Sequence, residues 1–466
     1  MPSRLFSGYQ RQLIPMLAVL EFCVMVAAVY VAVLLRFGGI DVDGEVSIEP
    51  LWPRAVAFAV IGLMCMTAVG LYNPRLRDAL EGVAVRASIA MVLIAAAAAL
   101  LFYTVPVLFL GRGVLFIAIA ITFVALLAVR MLWVRVMRSG RNYRRVAVLG
   151  AGRRAGHLLR FRRRTDFIGT HIVGYVPCPG DQIEIPEARQ IHPEGKLLPF
   201  LRSHGIDELV VAADDRRGGL DIAHLVECRT SGVQVTEIVS FLEKELGIIH
   251  LSVVEPSWIV FSPGFNKRML RLWLKRLFDI GVSTLVLVLT SPIMLLTALA
   301  IWLESGGKGP ILYRQQRVGA EGIPFNVFKF RSMRVDAEQA GVAQWAQKRD
   351  PRVTRVGAFI RKYRIDELPQ LFNVLQGTMS FVGPRPERPE FVGDLERAIP
   401  YYSERHRVKP GLTGWAQIRY PYGASKEDAS EKLQYDLYYA KNHNLVFDLT
   451  ILLMTAEVVL WGKGAR

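Results

Sequence analysis

Within RIDELPQLFNVLQGTMSFVGPRP, from Arg364 to Pro386, two adjacent carboxylates precede a proline, and an arginine sits between two prolines at the end. Neighbouring side chains on an α-helix point about 100° apart, so Asp366 and Glu367 would not share a ligand from mid-helix, although at a helix start they would. Leu368, Leu371, Phe372 and Leu375 keep an i, i+3, i+4, i+7 spacing, Gly377 is a suitable stop, and Pro369 is tolerated only in a first turn. Asp366 is therefore expected near a helix N-cap, where backbone amides and the macrodipole favour an anion, be it the side chain or a bound phosphate. Taken alone, the pair reads as a cap; its surroundings add chemistry. Pro384 and Pro386 fix φ on both sides of Arg385, which lowers the entropy lost when a guanidinium clamps a phosphate. In PFNVFKFRSM, strand alternation puts Val327, Lys329 and Arg331 on one face and Phe328 and Phe330 on the other. Such a face suits a phosphate, and a solvated strand would show the same pattern.

These residues need a scaffold, and composition says what kind. A chain of 466 residues predicts two or three domains. More than half of it is hydrophobic, the mean hydropathy is positive, and the apolar residues are bunched, which is the pattern of a membrane protein. The net charge of +16 then points to anionic lipid and phosphorylated substrates, not to nucleic acid. Four cysteines without CxxC spacing provide no zinc site or disulfide framework. Apolar runs at 14–35, 51–71, 87–110 and 113–134 each approach the ~20 residues a bilayer core requires and predict a four-transmembrane-helix bundle over residues 1–141. The first run lacks a signal cleavage site and is expected to remain. Arg4 and Arg11 precede it, the next loop carries Asp41, Asp43, Glu45 and Glu49, Arg75 and Arg77 follow the second run, and Arg135, Arg138 and Arg141 follow the fourth. By the positive-inside rule both ends of the bundle face the cytoplasm.

From about 142 to 265 short apolar strands alternate with helical patterns, which predicts an α/β domain with a parallel sheet. Gly150, Gly152 and Ala155 fit the GxGxx(G/A) turn of a Rossmann-like domain, but HIVGYVPCPG supplies no acid for a ribose, so tight NAD binding is not expected and a regulatory or structural role is. Residues 266–466 read as an α+β domain led by an apolar run, 277–303, that Ser291-Pro292 interrupts. Lys275 and Arg276 precede this run and Lys308, Arg314 and Arg317 follow it. Positive charge on both flanks favours a re-entrant helix that enters the inner leaflet, breaks at Ser291-Pro292 and returns, over a kinked span. The final apolar stretch is marginal for spanning, and Asp448 and Glu457 argue for a helix lying against membrane or protein.

The segment 272–466 resembles the catalytic domain of bacterial monotopic phosphoglycosyl transferases, the polyprenyl-phosphate hexose-1-phosphate transferases of exopolysaccharide and O-antigen synthesis. Its landmarks here are LKRLFDIGVS, Ser291-Pro292, YRQQRVG, FKFRSM, the run from Asp350 to Pro386, and VKPGLTGWAQI. The four-helix bundle and Rossmann-like domain resemble the elaboration of the larger members. The resemblance implies that Asp366 attacks the β-phosphate of a UDP-sugar, expels UMP and forms a phosphosugar-aspartyl intermediate that undecaprenyl phosphate then attacks. It also implies Mg²⁺ at Glu367 and a phosphate or nucleotide at Arg385. For Lys329, Arg331, Arg352 and Gln417 it implies substrate binding, with a structural task the standing alternative. Partners would be UDP-sugar, undecaprenyl phosphate, membrane lipids and a homodimeric second copy, at the bacterial inner membrane with the catalytic domain cytoplasmic. Two rivals stand beside it. A membrane-bound NAD-dependent nucleotide-sugar dehydratase would need a Tyr-x-x-x-Lys base, matched only by Tyr422 and Lys426, far outside the Rossmann-like region. A non-catalytic scaffold of a polysaccharide assembly complex would leave Asp366-Glu367 as a cap.

Overall fold

A computed structural model describes residues 9–38, 50–72, 80–138, 144–161, 170–193, 195–215, 220–262, 269–334, 351–420, 423 and 425–461. Arg4, the acidic loop 41–49, Arg75, Arg77, Arg141 and Tyr422 lie outside the described residues. The chain divides into two compact units, Met1–Leu246 and Gly247–Arg466. Residues 247–262, read from sequence with the α/β segment, fall in the second.

The first unit opens with four apolar helices, α1 (Tyr9–Phe37), α2 (Leu51–Ala68), α3 (Leu80–Thr104) and α4 (Arg112–Arg138). Each contains a segment long and apolar enough to cross a membrane. α1 packs on α2 and α4, and α3 packs on the same two. Glu21 of α1, buried at 1% exposure, pairs with Arg130 of α4 at 2.8 Å and accepts from the Tyr72 hydroxyl, while Arg130 also donates to Leu71 O at 2.7 Å. Charge buried among apolar helices persists only when paired in this way.

A Rossmann-like layer follows: β1 (Arg144–Leu149), α5 (Arg153–Arg160), β2 (Thr170–Val176), α6 (Leu197–Ser203), β3 (Glu208–Val211), α7 (Ile222–Thr230), β4 (Gln234–Glu237) and α8 (Ile238–Leu246). The four strands are parallel in the order β2-β1-β3-β4. Near-continuous apolar strands such as Val146–Leu149 fit a sheet covered on both faces. Gly150 sits at the end of β1 with φ +125°, a region that side chains rarely adopt. The amides that follow it are bonded within the chain. Asp214 accepts from Arg153 N at 2.9 Å, Arg154 N at 2.9 Å and Gln182 N at 3.2 Å, and Asp181 accepts from Ala151 N at 2.8 Å. The chain's own carboxylate lies where a dinucleotide would put its pyrophosphate.

The second unit contains α9 (Pro256–Phe261), α10 (Met269–Glu304), β5 (Leu312–Val318), β6 (Pro324–Phe330), α11 (Arg355–Lys362), α12 (Gln370–Gln376) and β7 (Ser380–Val382). It continues with α13 (Pro389–Ala398), β8 (Gly411–Thr413), α14 (Trp415–Arg419), α15 (Lys426–Asn442) and α16 (Leu445–Trp461). β5 and β6 form an antiparallel hairpin, and β7 and β8 a short parallel pair. Helical backbone runs through Ser291–Pro292 in α10. Pro292 cannot donate to Val288 O four residues back, and Ser291 Oγ takes that carbonyl at 2.8 Å instead. Mid-helix residues Leu285, Val288, Leu289, Ile293, Leu295 and Leu296 are exposed.

Both ends of α10 are tied to the same layer. Near its start, Arg276 donates to Val374 O and Leu375 O, each at 2.6 Å, capping the C-terminus of α12. Asp279 accepts from Ser380 Oγ and Phe381 N at 3.0 Å, and Lys275 pairs with Asp448 of α16 at 2.8 Å. Asp448 is fully buried against protein. Near its end, Ile301 packs with Phe330 and Ile360, and Glu304 accepts from Arg355 N at 2.8 Å, capping α11.

With Asp214 seated at the start of α5, calorimetric titration of the full-length protein with NAD⁺ or NADH should show no binding at micromolar ligand. Stoichiometric cofactor carried through purification would overturn this reading of the loop.

Candidate active site

Lys329 lies on β6 opposite Tyr313 of β5, and its strand face also carries Val327, which packs against Val374 of α12. The buried Asn373 side chain fixes this contact, accepting from Phe328 N at 2.9 Å and donating to Asn326 O at 2.8 Å. β6 and the segment leading into α12 are thereby held in register, which brings Lys329 to the carboxylate pair.

Asp366 and Glu367 do not sit at the N-cap of the following helix, as the sequence led one to expect. They occupy a 3-10 turn, Ile365–Glu367, one turn earlier, and Pro369 is the N-cap of α12. The i→i+3 bonds Glu367 N to Arg364 O and Leu368 N to Ile365 O, both 3.2 Å, wind this turn more tightly than an α-helix. Arg364 enters it at φ 60°, a left-handed conformation costing a non-glycine residue about 1 kcal/mol or more. Gly377 ends α12 in the same region, as its spacing predicted, whereas Phe372 is 41% exposed and stands out of the expected apolar stripe.

The tight turn separates the two carboxylates. Glu367 is buried, with Oε1 2.7 Å from Arg385 Nη2 and Oε2 3.3 Å from Arg364 Nη1. Asp366 has no hydrogen-bond or ion-pair partner among the described residues. Burial, then the Glu367 charge, push its pKa up to about 6, against the opposing pull of Lys329, Arg361 and Arg385. Burial also pushes Glu367 up, but Arg385, Lys329 and Arg364 outweigh it and hold that carboxyl well below the usual range. Lys329 is brought down to about 8, chiefly by burial, with Glu367 favouring its charge and Arg385 and Arg317 opposing it. The arrangement provides one ionised, immobilised carboxylate and, beside it, an unpaired one poised to ionise near neutrality.

Arg385 reaches Glu367 because of the β7–β8 pairing. Gly383 N donates to Thr413 O and Gly411 N to Pro384 O, both at 2.8 Å, and a Cβ at Gly383 would lie 2.3 Å from Lys409 O. Only glycine allows that approach. Arg405, itself paired with the buried Asp436 at 2.7 Å, donates to Arg385 O at 2.9 Å.

Of the other residues singled out from sequence, Arg331 immediately follows β6, its N donating to Ile311 O at 2.9 Å in the register of the hairpin, and its side chain donates to Lys308 O at 3.1 Å. Arg352 sits next to the bridge Met333↔Val353 ahead of α11, its carbonyl accepting from Arg334 N at 3.0 Å. Gln417 lies on α14, and no hydrogen bond among the described residues joins it to Asp366, Glu367 or Arg385. Arg317, Arg361 and Arg364 were not singled out for the site. Arg317 donates to Pro386 O at 3.2 Å and lies 3.5 Å from Glu387, so it braces the proline-flanked loop from β5. Strand alternation from Lys329 through its hairpin partner Tyr313 to Gln315 and Arg317 carries that signal.

Among the described residues no group of three His, Cys, Asp or Glu forms a metal cage. Both Glu367 oxygens face guanidinium groups, so a Mg²⁺ ion at this pair would have to take most of its shell from substrate phosphates and water.

Residues 270–462 match the family described as bacterial sugar transferase. The chain is 32% identical over 359 residues to the UDP-glucose:undecaprenyl-phosphate glucose-1-phosphate transferase of Xanthomonas campestris pv. campestris, covering 73% of this chain and 72% of that protein. It is 33% identical over 341 residues to the Escherichia coli (strain K12) protein of the same description, covering 72% and 71%. With the UDP-N-acetylgalactosamine-undecaprenyl-phosphate N-acetylgalactosaminephosphotransferase of Aeromonas hydrophila, identity is 43% over 256 residues, which is 54% of this chain and 58% of that protein's length. The chain belongs to the bacterial sugar transferases, the phosphoglycosyl transferase family.

Proposed function

We propose that this protein transfers a hexose 1-phosphate from a UDP-sugar to undecaprenyl phosphate and releases UMP. The observation that carries the mechanism is the division of labour in the carboxylate pair: Glu367 is committed to Arg385 and Arg364, while Asp366 is unpartnered among the described residues. A carboxylate oxygen of Asp366 attacks the β-phosphorus, forming an Asp–phosphate bond as the bond to UMP breaks. An oxygen of undecaprenyl phosphate then attacks the same phosphorus and returns Asp366 as a free carboxylate. The acyl phosphate formed in between is itself activated for the second transfer. Lys329 and Arg385 supply the positive field in which the diphosphate settles, and Arg405 and Arg317 keep Arg385 in place. Mg²⁺ held by Glu367 and the diphosphate would neutralise charge on the leaving nucleotide.

For topology we infer a membrane bundle from the first four helices and a re-entrant α10. A straight helix of 36 residues would run about 54 Å, longer than a bilayer's hydrocarbon core. Yet Arg276 is linked through Val374 and Asn373 to Phe328, while Ile301 packs on Phe330, two residues along the same strand. Ends anchored so close together support a helix bent at Ser291-Pro292, where its backbone stays helical instead of breaking as the sequence led one to expect. The active site would then sit on the cytoplasmic face of the inner membrane, where soluble UDP-sugar meets a lipid phosphate.

Single cysteines near Trp273 and Lys308, in a background lacking the native four, should be protected alike from an impermeant thiol reagent on intact cells and labelled alike after lysis. Labelling of one flank alone on intact cells would mean a span. The enzyme with Mg²⁺ and its UDP-sugar, without lipid, should exchange labelled UMP into UDP-sugar. Asp366→Asn should remove exchange and turnover together, by at least about 10³-fold. Exchange that survives while turnover falls would take the nucleophile role from Asp366, and retained turnover would favour a scaffold. The first half-reaction should lose rate tenfold per pH unit below about 6, as Asp366 becomes protonated, and decline again above about 8 as Lys329 loses its charge. Glu367→Gln removes the like charge that raises the Asp366 pKa, so the residual activity should carry an acid limb displaced to lower pH. An acid limb unmoved by this change would separate it from the pair.

A further inference from the structure

The second unit begins before the residues that match the family. Residues 247–262 lie upstream of the matched span 270–462, yet they pack within that unit and bury Ile248, Ile249, Val253 and Trp258. Four buried apolar side chains in so short a segment make it part of a core and not a tether. Polar contacts join it to α14 and α15. Gly247 O accepts from the Trp415 indole of α14 at 2.9 Å, and Ile249 N donates to Gln434 O of α15 at 3.0 Å. The buried ammonium of Lys441, near the end of α15, lies 4.0 Å from the centroid of the Trp258 ring. An aromatic face under a desolvated cation replaces part of the water it has lost. Gly247 takes φ +67°, and a Cβ there would lie 3.3 Å from Trp415 Cζ2, so the chain turns into this contact at a position that suits glycine.

Both helices lead to Arg385. Asp436 lies between Gln434 and Lys441, the two points at which the segment grips α15, and its carboxylate holds Arg405, which donates to Arg385 O at 2.9 Å. Tyr439, on the same stretch of α15, donates to Val382 O at 2.9 Å, where β7 ends and the loop bearing Arg385 begins. The Trp415 ring meets Phe447 of α16 edge to face, with 5.1 Å between centroids, and Phe447 lies 5.8 Å from both Tyr438 and Tyr439. The loop that brings Arg385 to Glu367 is thus fixed through α15 at two places, and α15 is itself fixed from behind by 247–262. A guanidinium holds a carboxylate well in few geometries, so a small tilt of α15 reaches the Arg385–Glu367 pair.

We propose that residues 247–262 are a positioning element of the active site, in which Gly247 and Trp258 hold α15 so that Arg385 meets Glu367 and the donor's diphosphate, an inference that rests on the transfer reaction proposed above. The test uses full-length protein in detergent. Trp258→Leu keeps an apolar side chain and removes the aromatic face, Trp258→Phe keeps a face, and Gly247→Ala disturbs the other end of the segment without emptying a core position. Trp258→Leu and Gly247→Ala should each lower kcat/KM for the UDP-hexose at least fivefold, with kcat/KM for undecaprenyl phosphate held within twofold. The two values report separate half-reactions of a two-step transfer, and the loss falls where the diphosphate meets Arg385. Trp258→Phe should return the first value to within twofold of native. In hydrogen-exchange mass spectrometry, amides between 381 and 387 should exchange at least fivefold faster in the two disabling variants, while those of β5 and β6 hold within twofold. Equal loss of both kcat/KM values, or loosening spread evenly over the unit, would assign the segment to stability alone and overturn the proposal. Native rates and native protection in all three variants would overturn it as well. Absence of UMP release by the native enzyme with UDP-glucose, UDP-galactose and their N-acetylated counterparts would count against the transfer reaction, and the hydrogen-exchange comparison would then decide the positioning on its own.

Discussion

The catalytic unit depends on a polar anchor at the head of an apolar helix. Arg276 forks two carbonyls at the end of α12, Asp279 holds the backbone of β7, and Lys275 joins Asp448 and the carbonyl of Val382. Each bond to a charged group contributes about 1.5–3 kcal/mol where water is excluded. Their placement matters more than their sum. α12 follows the turn bearing Asp366 and Glu367, and β7 leads directly into the proline-flanked loop bearing Arg385. One helix thereby sets the separation of the two halves of the site, so the position of the chemistry and the docking of the membrane helix are a single constraint.

Within that frame the site works by withholding partners as much as by supplying them. Four cations, Lys329, Arg361, Arg364 and Arg385, act on two carboxylates, and an even division would have left both strongly acidic and fully paired. The 3-10 turn prevents this. It delivers Glu367 into the two guanidinium groups and leaves Asp366 with the burial cost and its neighbour's negative charge, which is why the second carboxyl titrates near 6. The left-handed Arg364 is part of the same device, since its strain sets the entry angle of the turn and its side chain closes the Glu367 pair.

What was legible in the sequence follows from how local each feature is. The apolar runs, the strand–helix alternation after Arg144 and the stop at Gly377 are written in neighbouring residues and correspond to α1–α4, to the parallel sheet and to the end of α12. Asp366, Glu367 and Arg385 stood out because they share one short stretch, and Lys329 because strand alternation marks a face. The N-cap expectation failed because the i, i+3, i+4 pattern beginning at Leu368 does not distinguish a first α-turn from a 3-10 turn that hands over at Pro369. Arg405 and Asp436 could not be read at all, since their bond joins residues 31 apart and matters only because a third segment, at Arg385, rests on it.

In the α/β layer the chain's own carboxylate meets the amides of the glycine turn. Gly150 and Gly152 retain the tight turn, and at Gly152 a Cβ would lie 2.0 Å from Asp214 Oδ2, so the glycine now admits the chain's own carboxylate where a cofactor's phosphate would approach. The amides at the start of α5 thereby meet an anion supplied by the chain, which suits a helix N-terminus. Glycine spacing therefore records the geometry of the turn. The anion that satisfies it is chosen by the loop after β3, some 60 residues away, where Asp214 is placed.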